Sequence, residues 1–97
     1  MNDEIRVLEQ AELSELLSEL ELWAYADNKL SKEFRFSDFR QAFAFMAEVA
    51  ILAEEHDHHP DWSNSYNRVM IELTSHSHGG VTIKDISLAM DIEKLEL

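Results

Sequence analysis

Apolar residues recur with helical spacing in three parts of this chain. Leucines at positions 13, 16, 17 and 20 follow the i, i+3, i+4, i+7 pattern of one helical face, which predicts a first helix over residues 9–20. The polar residues before it are expected to fray. A longer apolar stripe predicts a central helix that Ser37 caps through its hydroxyl and that ends near His56. We expect this stripe to lie in the core, together with Phe36 just before the helix. The stripe consists of Phe39, Phe43, Phe45, Met46, Val49, Ala50, Leu52 and Ala53.

The segments between these helical patterns have the features of strands. Residues 22–26 and 29–36 flank an Asp-Asn pair that tolerates left-handed turn conformations, and together they predict a hairpin. Lys32 interrupts the apolar face of the second strand, so either that strand is partly exposed or Lys32 lies at its edge. Farther along, residues 62–66 predict a short strand. Residues 69–74 alternate apolar and polar side chains as a half-buried strand does.

The third helical pattern completes the predicted fold. Thr82 is followed three residues later by Asp85, which resembles a capping box and predicts a last helix to about Leu95. The order is then α-β-β-α-β-β-α. With hairpin connections it predicts an α+β fold, in which a four-stranded antiparallel sheet has three helices packed on one face. A length of 97 residues fits a single domain, 1–97, with one modest core.

Composition excludes several classes of function. The chain has 20 acidic and 8 basic residues and a formal charge of -12, and its basic residues are scattered singly, so we predict no direct nucleic-acid binding. Without cysteine there is neither a disulfide framework nor a thiolate metal site. No signal-peptide pattern and no apolar run of roughly 18 residues is present. We therefore expect a soluble, cytoplasmic protein without a membrane partner, although a chain without cysteine fits the periplasm too.

Candidate chemistry is concentrated in residues 54–62, which hold three of the five histidines. Imidazole both donates and accepts protons near neutral pH. His58 and His59 follow a helix and can flank a small ligand there, while His76 follows a strand and would supply a third nitrogen. A carboxylate bound to one ring nitrogen fixes the tautomer of a histidine, and an indole ring can stack on an aromatic ligand. The candidates for these supporting tasks are Asp57, Asp61, Asp85 and Trp62.

Two other interpretations of the histidines stay open at this point. Surface histidines are commonly structural, and we interpret His56 and His78 in this way because neither has a matching partner in the sequence. Metal binding is the other interpretation. Zinc sites on a helix typically place histidines at i and i+4, and none of the pairs here has that spacing, so we predict no metal.

Several short motifs occur together in this chain. They are Asp-His-His-Pro-Asp-Trp at 57–62, Tyr66-Asn67, Thr74-Ser75-His76, Gly80 and Asp85-Ile86, with residues 34–39 and 42–50 upstream. In this combination they resemble the pterin-4a-carbinolamine dehydratases over residues 13–94. The resemblance implies an α+β domain with a four-stranded antiparallel sheet and three helices, which agrees with the order derived above from the residues alone.

The resemblance also implies an activity: dehydration of 4a-hydroxytetrahydropterin to quinonoid dihydropterin, which recycles the cofactor of aromatic amino-acid hydroxylases. By resemblance, His58 and His59 are the adjacent catalytic histidines, His76 is the third, Asp85 is an acid at the site and Asp57 precedes the pair. No metal and no cofactor is implied. The reaction needs one group to protonate the departing water and another to accept a proton. We expect His58 and His59 to divide these tasks, in an order left open, and His76 to bind or polarise the pterin.

Partners follow from the same resemblance. A pterin is the expected small-molecule substrate, with a pathway link to an aromatic amino-acid hydroxylase. Some family members bind a homeodomain transcription factor, and others have suspected roles in molybdopterin metabolism. The alternatives are therefore a non-catalytic protein-interaction module, or a pterin- or molybdopterin-handling protein with a different substrate. A homodimer or homotetramer is the family expectation, and an open edge strand favours self-association.

Overall fold

The computed structural model describes residues 5–95 and has the predicted order of elements. These are α1 (Gln10–Leu17), β1 (Ala24–Ala26), β2 (Lys29–Arg35), α2 (Phe39–His56), β3 (Asp61–Ser65), β4 (Arg68–Leu73) and α3 (Ile83–Glu93). Helix α1 ends three residues before its predicted end, and α3 ends two residues before its predicted end. We expected the start of the chain to fray, and its residues 1–4 lie outside the described residues. None of the helices within residues 5–95 is long and apolar enough to cross a membrane.

The four strands form one antiparallel sheet in the order β1-β2-β4-β3. Asp27 and Asn28 both have positive φ and join β1 to β2, as the turn chemistry of these residues predicts. Four inward-facing residues of the two central strands are fully buried beneath residues of all three helices: Leu30, Val69, Ile71 and Leu73. The structure thus confirms the predicted α+β fold.

Helix α2 begins one residue later than predicted because Asp38, rather than Ser37, is its N-cap. The Asp38 carboxylate accepts a hydrogen bond from the backbone N–H of Gln41 at 2.9 Å. The Ser37 hydroxyl instead donates to the Gln41 side chain at 2.6 Å. At the other end the helix stops at His56, since the next residue, Asp57, takes the left-handed conformation with φ 51°. This turn sets the direction in which the following histidines leave the helix.

The buried face of α2 differs from the predicted stripe. It is centred on Ala42, Phe45, Val49 and Ala53. Two predicted core residues are wrong: Phe39 and Phe43 are 47% and 56% exposed, and their rings contact each other with centroids 5.8 Å apart. Ala50 is exposed as well. Successive helix residues turn by about 100°, so one sheet covers only part of so wide an apolar stripe.

Of the two expectations for Lys32, the first is confirmed, since its strand is partly exposed, and the second is wrong, since the lysine does not lie at an edge. Its strand, β2, is internal to the sheet, and the lysine side chain is only 11% exposed. The ammonium lies 2.5 Å from a carboxylate oxygen of Glu93 at the end of α3, and 4.6 Å from the centroid of the Phe34 ring. The indole N–H of Trp23 donates to the same Glu93 oxygen at 2.9 Å. A polar residue is therefore accommodated on the helix side of the sheet because the last turn of α3 supplies its partner.

Candidate functional site

The three histidines that the sequence singled out line one cavity, together with His78. His58 and His59 lie between α2 and β3, and His76 lies in the loop that follows β4. The cavity has a volume of about 310 Å³, in the size range of small-ligand sites. Its lining consists of Ile5, Asp57, His58, His59, Thr74, Ser75, His76, Ser77, His78 and Lys84. The structure thus brings together the three histidines that the sequence singled out.

His58 is the most enclosed of the three histidines. Its side chain is 12% exposed, and its Nε2 lies 2.5 Å from Oδ1 of Asp85, which is fully buried. The other carboxylate oxygen of Asp85 accepts hydrogen bonds from the Ser75 hydroxyl at 2.9 Å and from the backbone N–H of Thr82 at 2.8 Å. Asp85 therefore has two tasks, since the carboxylate that holds His58 also completes the capping box of α3.

His59 and His76 are held by carboxylates in the same way but lie in solvent. His59 Nε2 is 2.6 Å from Glu54 and His76 Nε2 is 2.8 Å from Asp61, with the two imidazoles 58% and 74% exposed. All three rings thus use Nε2 for the carboxylate, which leaves Nδ1 as the nitrogen that is not engaged with it. The sequence pointed to Asp57, Asp61 and Asp85 as orienting acids, and two of these, Asp61 and Asp85, contact an imidazole. It missed Glu54, whose signal was its place in the acidic stretch five residues before His59.

Asp57 and Trp62 differ in their relation to the cavity. Asp57 lines it, and its backbone carbonyl accepts a hydrogen bond from the Lys84 ammonium at 3.3 Å. Trp62 is not part of the lining. It lies on the edge strand β3 opposite Ile71, half-buried against the core. The position of this indole therefore does not support the stacking role that we expected for it. Lys84, in contrast, brings a cation to the cavity that the sequence did not indicate.

The two histidines that we interpreted as structural lie in different places. His56 Nε2 is 2.7 Å from Asp91 and joins the end of α2 to α3, away from the cavity. This position agrees with a structural role. His78 does line the cavity, with its Nδ1 3.1 Å from the hydroxyl of Ser77.

The segment before α1 also contributes to the cavity, which the sequence did not indicate. Ile5 supplies an aliphatic wall. The backbone N–H of Leu8 donates to the carbonyl of Val81 at 2.9 Å. A Cβ at Gly80 would lie 3.1 Å from a methyl group of Val7, so the glycine allows this segment to approach the loop closely. The segment before α1 therefore packs against the loop that carries His76.

A larger groove of about 520 Å³ lies on the outer face of α2, lined by Phe39, Arg40, Phe43, Ala44 and Ala47. Its lining has no histidine or carboxylate, whereas the lining of the smaller cavity has both. Among residues 5–95, no three His, Cys, Asp or Glu side chains are grouped so that they could hold one metal ion.

Known proteins resemble this chain over nearly its whole length. The family model described as pterin 4 alpha carbinolamine dehydratase matches residues 6–95. The chain belongs to this family. Two curated relatives, both named "Putative pterin-4-alpha-carbinolamine dehydratase", come from Prochlorococcus marinus (strain NATL2A) and Rhizorhabdus wittichii. They are 44% and 47% identical to it, and in each case the match covers 94% of this chain and 96% of the relative.

Solved structures of pterin dehydratase relatives share the fold. A crystal structure from Brucella melitensis, described as a transcriptional coactivator/pterin dehydratase, has a TM-score of 0.87 and 42% identity, covering 91% of this chain and 96% of that one. A pterin dehydratase-like protein described as a RuBisCO assembly factor in the alpha-carboxysome has a TM-score of 0.60 and 25% identity. That match covers 73% of this chain and 82% of the other. Proteins of this fold thus carry descriptions of more than one function.

Proposed function

We propose that this protein dehydrates 4a-hydroxytetrahydropterin to quinonoid dihydropterin, in the cytoplasm and in step with an aromatic amino-acid hydroxylase. The observation that carries the proposal is the cavity in which three histidines, each bound through Nε2 to a carboxylate, face a common space. Membership of the dehydratase family supports the choice of substrate class.

The reaction needs two proton transfers and no redox step. A base takes the proton from N5 of the pterin, and the electron pair of that N–H bond forms the C4a=N5 double bond. The C4a–O bond breaks, and the departing hydroxyl takes a proton from an acid and leaves as water. One imidazole that begins neutral and one that begins protonated therefore suffice, and water leaves with the two protons balanced.

The surroundings of the histidines support a division of roles. A carboxylate only accepts, so His58 donates a hydrogen bond from its Nε2–H group to Asp85. Its Nδ1 then keeps a lone pair, and the carboxylate stabilises the imidazolium that forms after proton uptake. We therefore assign His58 as the base. His59 is exposed and can be reprotonated from water, so we assign it as the acid, with Glu54 orienting it. His76, oriented by Asp61, is assigned to binding and polarising the pterin near the 4a-hydroxyl.

The test is the rate of ultraviolet change as freshly generated 4a-hydroxytetrahydropterin loses water. Wild-type protein should accelerate the change, and His58→Ala and His59→Ala should each lose most of the acceleration. His56→Ala is the matched control, because it removes an imidazole whose partner is Asp91 and which does not line the cavity. Absence of acceleration by folded wild-type protein, or equal losses in all three variants, would contradict the proposal.

We also propose that the protein forms a homodimer or homotetramer, because α2 presents an uncovered apolar face. Two antiparallel copies of α2 that cross at Ala47 would place Phe43 opposite Ile51, and Arg40 opposite Glu54 of the second copy. Phe43 and Ile51 are both more than half exposed in the single chain. The open edge of β3 offers a second surface for self-association. If only one of the two surfaces binds a second copy, the protein is a dimer; if both do, it is a tetramer.

Light scattering after size exclusion tests this assembly. Phe43→Asp should lower the mass to that of a smaller species, since it places a charge in the apolar interface. Leu22→Asp changes a residue that is 74% exposed outside α2 and should leave the mass unchanged. A monomeric wild-type protein would refute self-association, and an unchanged mass of Phe43→Asp would refute the role of α2.

A binding function without turnover is the second candidate. The observation in its favour is the same uncovered face of α2, together with the descriptions of the related structures as a coactivator and an assembly factor. A binding module should keep its partner in His58→Ala and His59→Ala and lose it in Phe43→Asp. Loss of turnover in the histidine variants with no partner detected would favour the dehydratase. A pterin- or molybdopterin-handling role predicts pterin binding without loss of water.

A further inference from the structure

Two buried hydroxyl groups adjoin the histidine cavity, and one of them, that of Ser75, belongs to a residue in its lining. The Ser75 hydroxyl is 2.9 Å from Oδ2 of Asp85 and 2.8 Å from the Thr82 hydroxyl. Ser75 is 4% exposed, and Asp85 and Thr82 are fully buried. A buried polar group is stable only when its hydrogen bonds are satisfied, so this arrangement has a narrow choice of geometries.

The direction of the hydrogen bonds in this arrangement follows from the donors available. An ionised carboxylate only accepts, so Ser75 uses its single hydroxyl proton on Asp85. The Thr82 hydroxyl must then donate to the Ser75 oxygen, while its own oxygen accepts from the backbone N–H of Lys84 at 3.2 Å. Both hydroxyl donors therefore point toward Asp85. The remaining carboxylate oxygen, Oδ1, is then the one that contacts Nε2 of His58.

Ser75 is also tied to the loop that carries the third histidine. Its backbone N–H donates to the carbonyl of Gly80 at 3.0 Å, and its carbonyl accepts from the N–H groups of His78 and Gly79, both at 2.9 Å. His76 is the next residue along the chain. The Ser75 hydroxyl thus joins this loop to the carboxylate that holds the histidine from the other segment.

We propose that Ser75 is a positioning residue of the site: through Asp85 its hydroxyl fixes the Nε2–H tautomer and the ring orientation of His58. In this role Ser75 acts through Asp85 and His58. The effect on turnover rests on the proposed dehydratase function, whereas the effect on the histidine does not. Without the hydroxyl, Asp85 loses one of the donors that orient it, and His58 loses its fixed partner.

The experiment uses Ser75→Ala with two measurements. Nitrogen-15 NMR of the labelled imidazoles should show one fixed His58 tautomer in the wild type and a mixture in the variant. The dehydration assay should show kcat lowered roughly tenfold to hundredfold, with KM little changed. Losses of this size are typical when a residue that hydrogen-bonds to a metal-bound histidine is replaced. Ser75→Thr retains a hydroxyl and should restore both readouts. Ser63→Ala, the same change on the exposed outer strand β3, should alter neither.

Thr82→Val is the second variant, for the case that Ser75→Ala does not fold. It removes the hydroxyl that donates to Ser75 but keeps the backbone N–H that donates to Asp85, so the His58 tautomer should shift in the same direction by less. A single His58 tautomer with wild-type kcat in either folded variant would overturn the proposal. If the wild type shows no turnover while the tautomer responds, the positioning role stands and the dehydratase proposal fails.

Discussion

Replacing Asp85 by Asn separates the charge of this residue from its shape. The amide oxygen can take the place of Oδ2 and still accept from Ser75 and from the N–H of Thr82. The amide nitrogen then faces His58 Nε2, which is 2.5 Å from the carboxylate in the wild type. Because an NH₂ group only donates, Nε2 must become an acceptor and the ring proton must move to Nδ1. The proposed base then presents a proton where it needs a lone pair.

We expect Asp85→Asn to lower the dehydration rate by roughly two to four orders of magnitude, as wrong-tautomer variants of histidine–carboxylate pairs do. The free energy of unfolding should change by only about 1 kcal/mol, because the two hydrogen bonds of the capping box persist. The ultraviolet dehydration assay measures the first quantity and urea denaturation the second. Nitrogen-15 NMR should show the His58 proton on Nδ1.

Asp85→Ala is the matched comparison. It removes the acceptors of three hydrogen bonds at a fully buried position, those from His58, Ser75 and Thr82. At roughly 1 kcal/mol or more for each unsatisfied donor, the free energy of unfolding should fall by about 3 kcal/mol. Wild-type turnover in Asp85→Asn would refute the tautomer argument. An alanine variant as stable as the asparagine variant would refute the stabilising role of the network.

Three further predictions concern the rest of the molecule. The pKa of Glu12 is lowered to about 2, chiefly because Arg6 donates hydrogen bonds to its carboxylate, and Arg6→Gln should move it toward 4.5 in a carboxyl NMR titration. Because this pKa is depressed on folding, its stabilising effect is complete above pH 4.5 and is lost as the pH falls toward 2; an unmoved pKa would contradict the assignment. Glu93→Ala should lower the free energy of unfolding by about 1 to 2 kcal/mol, since it leaves the mostly buried ammonium of Lys32 unpaired, and an unchanged urea midpoint would argue against this pair. Leu88→Ala, at a fully buried position, should cost roughly 2 to 5 kcal/mol in the same experiment, and a loss below that range would mean that the core closes around the gap.

Local chemistry explains which features of this protein could be predicted from its residues. The order of helices and strands follows from hydrophobic periodicity and turn residues. The capping box of Thr82 and Asp85 was predicted and is present, because its two members are three residues apart and interact within one helical turn. The adjacency of His58 and His59 at a helix exit is likewise a property of a short stretch of chain.

Periodicity identifies the residues that share a face of a helix, but it does not identify the face that another element covers. For this reason Phe39 and Phe43, expected in the core, lie on the outside of α2. Lys32 was ambiguous for the same reason, since its partner Glu93 is far away in sequence and comes close only through packing. Side chains that lie near one another in the chain need not share a cavity.

The sequence by itself therefore determined the fold class and the residue types that bring chemistry to this protein. Only the tertiary structure decided how they meet. It brought His76 to the histidine pair, matched each ring with a carboxylate, placed Ile5 in the cavity wall and left Trp62 outside it. The physical reason is that contacts between distant segments depend on the packing of the whole sheet and its helices, which no local pattern of residues encodes.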